Sequence, residues 1–349
     1  MPDSIRFAVP GDIETRTGGT IYDKRVIAEL RAAGRTVEHL QWPASFPFPS
    51  PEDLVTVGDS LAACPDGALV MIDGLAFGAM PELAAVNAQR LRLVALVHHP
   101  LALESGLQAD IVERLRISER KALKHARAVI VTSALTAATL ARDFGVPPET
   151  IMVATPGVDR PAPSWVSPSN PVPQLLAVGT VTPRKAHDVL VDALARIAGL
   201  DWHCTIAGSL ERAPETVASV RRQIERRGLA RRIDLIGEVA DSTALYGTAD
   251  IFVLPSRYEG YGMAIAEALV YGMPVIAARV GAIPEVVPDS AGILVPPDDP
   301  GALADALQRL IEDRTLRRRY SDGARLAAQS FAEWRGTAAR IASALDAVE

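Results

Sequence analysis

Two doubly wound α/β domains are the architecture this sequence predicts. Three observations carry the prediction: a chain of 349 residues, short apolar runs separated by stretches of helical spacing, and a proline-dense segment between two sets of those runs. At this length two cores are more natural than one. Apolar runs that are continuous rather than alternating suit parallel strands covered by helices on both faces. Strand, helix and strand repeated about six times per half gives the doubly wound pattern.

In the first half the runs are IRFAV (5–9), TVEHL (36–40), ALVMI (68–72), RLVALV (92–97), AVIVT (128–132) and IMVA (151–154). In the second they are QLLAV (174–178), HCTIA (203–207), IDLI (233–236), DIFVL (250–254) and PVIAA (274–278). Residues 156–174 hold six prolines and no periodic pattern, which is the composition of a semi-extended connection. The last stretch shows helical spacing through Leu326, Phe331, Trp334, Ile341 and Leu345 with no strand after it. The predicted boundaries are a first domain over 1–160, a linker over 161–173 and a second domain over 174–325. A terminal helix over 326–349 either caps the second domain or crosses back to the first.

Composition narrows the function. With 48% hydrophobic and 22% charged residues the chain reads as an ordinary globular protein, and a net charge of −6 argues against nucleic acid as a partner. Cys64 and Cys204 show neither CxxC nor metal-ligand spacing, so reduced thiols are expected. The opening MPDSIRFAVPGD has no signal-peptide apolar region, and no run approaches the ~20 apolar residues of a membrane span. A cytoplasmic location follows as the expectation, with any membrane contact peripheral at the inner face. Basic clusters at 113–127, 221–232 and 314–319 are either solvated helix faces or surfaces for anionic lipid.

In open α/β sheets ligands sit at the carboxyl ends of strands, and two such domains are expected to face each other across a cleft. The run DIFVL leads into PSRYEGYG and then the apolar stretch Met263–Val270, interrupted by one carboxylate, Glu267. A helix opening near Gly262 after a glycine-rich loop leaves its first amides unpaired, which makes a phosphate site. Carboxylates beside such a site are poorly placed for the phosphate and well placed for sugar hydroxyls. Glu259 and Glu267 therefore suit two sugars flanking a diphosphate. A helix that is apolar all round is buried, and a buried carboxylate needs a partner. Neither first strand-to-helix turn carries GxGxxG, which removes a nicotinamide dehydrogenase.

The stretch Glu259-Gly-Tyr-Gly-Met-Ala-Ile-Ala-Glu267, followed by Ala268-Leu-Val-Tyr-Gly-Met-Pro274, resembles the EX7E signature of glycosyltransferase family 4. Members are retaining, nucleotide-sugar-dependent enzymes of the GT-B fold, related to glycogen and sucrose synthases. The resemblance extends to Gly281-Ala-Ile-Pro-Glu285, Gly292-Ile-Leu-Val, Pro156-Gly-Val-Asp159 and Gly179…Arg184-Lys185. In the first half it takes in Thr17-Gly-Gly-Thr20 and His98-His99. It implies that Glu259 holds donor-sugar hydroxyls and Glu267 the ribose, while amides of Gly260, Tyr261, Gly262 and Met263 meet sugar and phosphates. It further implies that Lys185, assisted by Arg184, neutralises the diphosphate, that His98 (rather than His99) contacts the transferred sugar, and that Gly18 and Gly19 let the first loop approach diphosphate or acceptor. Thr180 stands where the family commonly has a diphosphate-binding arginine, and Ala186 where a glycine usually follows the lysine.

The implied activity is transfer of a hexose from a nucleotide diphospho-sugar to a hydroxyl acceptor (glycan, small molecule or lipid) with retention. UDP-hexose is the first donor and GDP-mannose the second. Retention by the two-carboxylate route needs a nucleophile about 5 Å from an acid. With both glutamates on binding duty none remains, so same-face displacement is expected, driven by positioning and by stabilisation of the leaving diphosphate. No cofactor and no metal are expected. The alternatives are a non-catalytic nucleotide-sugar-binding protein of the same fold, toward which Thr180 points, and a GT-B epimerase or phosphorylase.

Overall fold

The structure, a computed structural model, describes residues 4–162 and 170–348. Chain contacts divide it into two compact units, 1–157 with 332–349, and 158–331. Each unit holds a six-stranded sheet whose neighbouring strands are all parallel.

In the first unit the strands are β1 (Ile5–Pro10), β2 (Val37–Trp42), β3 (Leu69–Asp73), β4 (Arg92–Val97), β5 (Ala128–Val131) and β6 (Ile151–Val153), in the order β2-β1-β3-β4-β5-β6. In the second they are β7 (Gln174–Val178), β8 (His203–Ala207), β9 (Ile233–Gly237), β10 (Ile251–Leu254), β11 (Val275–Ala278) and β12 (Gly292–Val295), in the order β12-β11-β10-β7-β8-β9. Side chains alternate between the faces of a strand. Leu175, Ala177, Ile251 and Val253 accordingly enter one apolar cluster, while Leu176, Phe252 and Leu254 enter another. Both faces are buried, which is why these strands read as continuous apolar runs.

Two expectations need correction. β12 is a strand, whereas its four residues stood out in the sequence only as a motif; a glycine start leaves three apolar residues as its signal. The terminal stretch is also not one helix over 326–349. A helix Arg314–Ala328 ends in the second unit, and a separate helix Trp334–Asp346 belongs to the first. That last helix is held by Thr337, which donates to Thr155 O at 2.8 Å, and by Trp334 packed edge-on against Tyr22 at 5.7 Å. Of the linker expected over 161–173, residues 163–169 lie outside the described residues. Among the described residues no helix is long and apolar enough to cross a membrane.

Candidate active site

In the second unit the chain winds from β7 through β8 to β9, then returns to β10 and winds the other way. The loops leaving β7 and β10 therefore part at the switch in strand order, the place where such sheets hold ligands. The loop after β7 carries Thr180, Arg184 and Lys185; the loop after β10 carries Ser256 to Gly262. Arg257 staples the two together. Its amide donates to Arg184 O at 2.7 Å, and its guanidinium reaches Asp188 at 2.8 Å and Asp298 at 2.7 Å.

Glu259 is 5% exposed and lies at the centre of this site. Its Oε1 accepts from Lys185 Nζ at 2.6 Å and from Ser256 Oγ at 2.7 Å, and Arg184 stands 3.5 Å from Oε2. Burial alone would raise its pKa; Lys185, then Arg184, reverse that and hold it at about 2. The carboxylate is thus ionised and flanked by two cations. Its backbone is fixed by the following loop: Ala282 N donates to Glu259 O at 2.9 Å, and Gly281, with φ 51°, passes so close that a Cβ would lie 2.1 Å from that oxygen. Only glycine fits that approach.

The helix Met263–Val270 starts from Gly262, left-handed at φ 99°, with no side-chain cap on its first amides. Gly260 and Tyr261 lead into this turn and Met263 is the first residue of the helix. Burial pushes the Tyr261 phenol up to about 12, with Glu285 adding to the effect. Glu267 is the fifth residue of the helix and half-buried, and its carboxylate has a partner in Tyr246, whose hydroxyl donates to Oε2 at 2.7 Å. Tyr246 is itself buried between Tyr271, stacked at 5.6 Å, and Phe252. Burial raises Glu267 to about 7, with the Tyr246 hydrogen bond opposing and Asp159 adding to the rise.

Thr180 is half-buried beside Gly179, and its side chain offers no charge to a diphosphate. Ala186 follows Lys185 in the left-handed region at φ 53°, fully buried. That conformation costs an alanine ~1 kcal/mol, which accounts for the usual glycine.

The first unit gathers a second constellation at its own switch in strand order, between β1 and β3. His98 follows β4, and its Nε2 lies 3.1 Å from Asp23 Oδ1 and 3.3 Å from Asp73 Oδ2. Asp23 and Asp73 are 1% and 2% exposed, so neither is a solvated surface acid. Burial by itself would depress the imidazole's pKa, but the two carboxylates, Asp23 first, drive it up and keep the ring protonated. Burial raises Asp23 in turn, with His98 opposing. Tyr22 packs edge-on to the ring at 5.2 Å, and Thr132 donates to His98 O at 3.1 Å. Gly18 and Gly19 open the helix Gly18–Ala32, and a Cβ on Gly19 would come 3.2 Å from the imidazole. His99 turns instead to Glu104 at 3.3 Å.

The sequence reading brought forward Glu259, Lys185, Arg184, Glu267 and His98 but not the residues that hold them. Ser256 and Tyr246 were missed, as were Asp23 and Asp73. Asp23 had a signal: it shares the buried stripe of its helix with Val26, Ile27 and Leu30. Asp73 had a weaker one, standing at the carboxyl end of β3. Among the described residues Asp23, Asp73 and His98 are the one group whose donor atoms, all within 4.8 Å, have the makings of a metal site. Its imidazole nitrogen is, however, already at hydrogen-bonding distance from both carboxylates, so a cation would have to displace that proton.

Two family models match the chain: "Glycosyltransferase Family 4" over residues 69–160 and "Glycosyl transferases group 1" over residues 172–313. A D-inositol 3-phosphate glycosyltransferase of Corynebacterium glutamicum is 30% identical over 280 residues, which are 73% of this chain and 66% of that relative's length. Among solved structures, sucrose-phosphate synthase of Thermosynechococcus elongatus superposes with a TM-score of 0.81 at 23% identity, covering 98% of both chains. Anabaena HepE in complex with UDP-glucose does so at 0.75 and 21% identity, covering 99% of both. The chain therefore has the GT-B fold, carries glycosyltransferase domains in both halves, and is a homologue of the GT-B glycosyltransferases.

Proposed function

We propose that the protein is a retaining hexosyltransferase of glycosyltransferase family 4, moving a hexose from a nucleotide diphospho-sugar to a hydroxyl acceptor. The observation that carries this reading is the buried, ionised Glu259 held between Lys185 and Arg184 at the mouth of the helix that bears Glu267. A carboxylate kept ionised accepts hydrogen bonds from sugar hydroxyls, and its two cations give the site one positive charge in excess. That charge, with the amides of Gly260 to Met263, stabilises a leaving diphosphate as the glycosidic bond breaks. Glu267 takes the ribose hydroxyls in place of its bond from Tyr246. His98, protonated, donates to the transferred sugar. The departing phosphate oxygen accepts the acceptor's proton on the face from which it leaves.

UDP-hexose is the proposed donor, supported by the UDP-glucose complex of HepE; GDP-mannose is the second candidate. A phosphorylated cyclitol is the first acceptor to try, on the strength of the Corynebacterium relative's activity. The reaction is proposed to need no metal and to take place in the cytoplasm, with peripheral contact at the inner membrane face if the acceptor is a lipid. Incubation with UDP-glucose or GDP-mannose and a cyclitol phosphate, followed by NMR of the product, tests the reading. An α-linked product from the α-linked donor is expected, and a β-linked product contradicts retention. Activity in EDTA should be undiminished; loss that magnesium restores contradicts the metal-independent mechanism.

A further inference from the structure

A second charged recess lies in the second unit, at the amino ends of the strands and so at the opposite end of the sheet from Glu259. It has a volume of about 310 Å³ and opens beside Asp250 and Pro274, the residues that precede β10 and β11, whereas Glu259 follows the end of β10. Its wall is the helix Arg314–Ala328, from which Arg314, Arg317, Arg318 and Arg325 all line the cavity. Positions three, four and eleven residues apart fall on one helix face, so the four guanidiniums form a single stripe. Two carboxylates line it as well: Asp250, and Asp322 of the same helix, which pairs with Arg325 at 3.1 Å. Asp250 also accepts from Asn170 Nδ2 and Gln174 N, both at 2.8 Å.

Like charges on adjacent turns of a helix repel, yet this helix places four of them along one cavity. Burial lowers the pKa of Arg317, with Asp250 opposing and Arg314 adding to the fall. It holds its position by donating to Ile311 O at 2.7 Å. The carboxyl end of the helix Met263–Val270 also faces this side, through Tyr271 and Gly272. That end contributes about half a negative charge. Two full positive charges in excess outweigh it. A planar fork of N–H donors matches phosphate oxygens two at a time, and four forks around one cavity define the ligand's chemistry.

We propose that this recess binds a phosphoryl group, carried either by a small soluble polyphosphate or by a lipid headgroup. The test uses the full chain at low ionic strength, titrated calorimetrically with inorganic pyrophosphate. The proteins compared are the parent, Lys185→Ala, Arg314→Gln/Arg318→Gln and the triple variant. Arg314 and Arg318 are exposed, so their replacement leaves the fold intact. Pyrophosphate binding that persists in Lys185→Ala and weakens about tenfold when Arg314→Gln/Arg318→Gln is added supports the site. In parallel, flotation with phosphatidic-acid vesicles, against phosphatidylcholine alone, identifies a lipid source if the double substitution abolishes it. Insensitivity of both ligands to the arginine substitutions overturns the proposal. Pyrophosphate binding undiminished in Lys185→Ala counts against the donor assignment alone, whereas the arginine substitutions decide the recess, so the two failures are told apart.

Discussion

The two units solve the problem of a buried charge with opposite signs. In the second, one carboxylate sits between two cations: Glu259 with Lys185 and Arg184. In the first, one imidazole sits between two carboxylates: His98 with Asp23 and Asp73. Each cluster is compensated enough to exist in a dry setting. Cations outnumber the carboxylate at Glu259, where a diphosphate is proposed to leave, and carboxyl groups outnumber the imidazole at His98, where a sugar gaining positive character is proposed to be held. Electrostatic stabilisation of a transition state works through fixed charges already in place, and both clusters are fixed by bonds made without any ligand.

The largest effect should come from breaking the second-unit cluster. Glu259→Gln removes the ionised acceptor while keeping the shape, and transfer should fall roughly 10²–10³-fold in kcat. Glu259→Ala should in addition lower stability by about 3 kcal/mol, because Lys185 and Arg184 lose their counter-charge; denaturant unfolding reads it.

The mirror experiment acts on His98. His98→Ala should cost roughly 10²-fold in kcat with little change in nucleotide affinity. Asp73→Asn leaves Asp23 as one carboxylate on the imidazole, so a smaller loss, roughly tenfold, is expected. Equal losses in the two would show that Asp73 does more than hold the ring.

Glu267 gives a smaller effect with a definite pH signature. Its pKa in the fold, about 7, lies above the usual 4.5, so the folded state binds the proton more tightly than the unfolded chain. Stability is therefore lost as pH rises through the window from 4.5 to 7. Glu267→Gln should raise Tm by several degrees at pH 8 and change it little at pH 4.5. The reverse order would contradict burial as the cause.

The smallest effect belongs to Ala186. Glycine there relieves left-handed strain of ~1 kcal/mol but gives up a buried methyl of about the same worth. Tm should move by no more than a degree or two, upward if the strain dominates.

Which parts of this were legible in the sequence follows from how far each interaction reaches along the chain. Central strands such as β3, β4 and β10 are buried on both faces and read locally as continuous apolar runs, while β12 starts on glycine and offers only three apolar residues. The helix end at 328 was hidden because the spacing of Leu326, Phe331 and Trp334 runs on through the break. Glu259 and Glu267 stand eight residues apart on one loop and helix and were visible together. The contacts that define their chemistry were not: Lys185 lies 74 residues from Glu259, and Tyr246 is 21 residues from Glu267. The distance is greater for Asp23, 75 residues from His98. Only the sheet order, which brings the ends of β7 and β10 side by side, and likewise β1 and β3, makes neighbours of them.

The most direct test of the central assignment is a calorimetric titration of the protein and of Glu267→Gln with UDP at pH 7.5. If Glu267 exchanges its bond from Tyr246 for the ribose hydroxyls, the variant should bind UDP about tenfold more weakly while Glu259→Gln binds it almost as well as the parent. UDP affinity unchanged by Glu267→Gln would contradict the account.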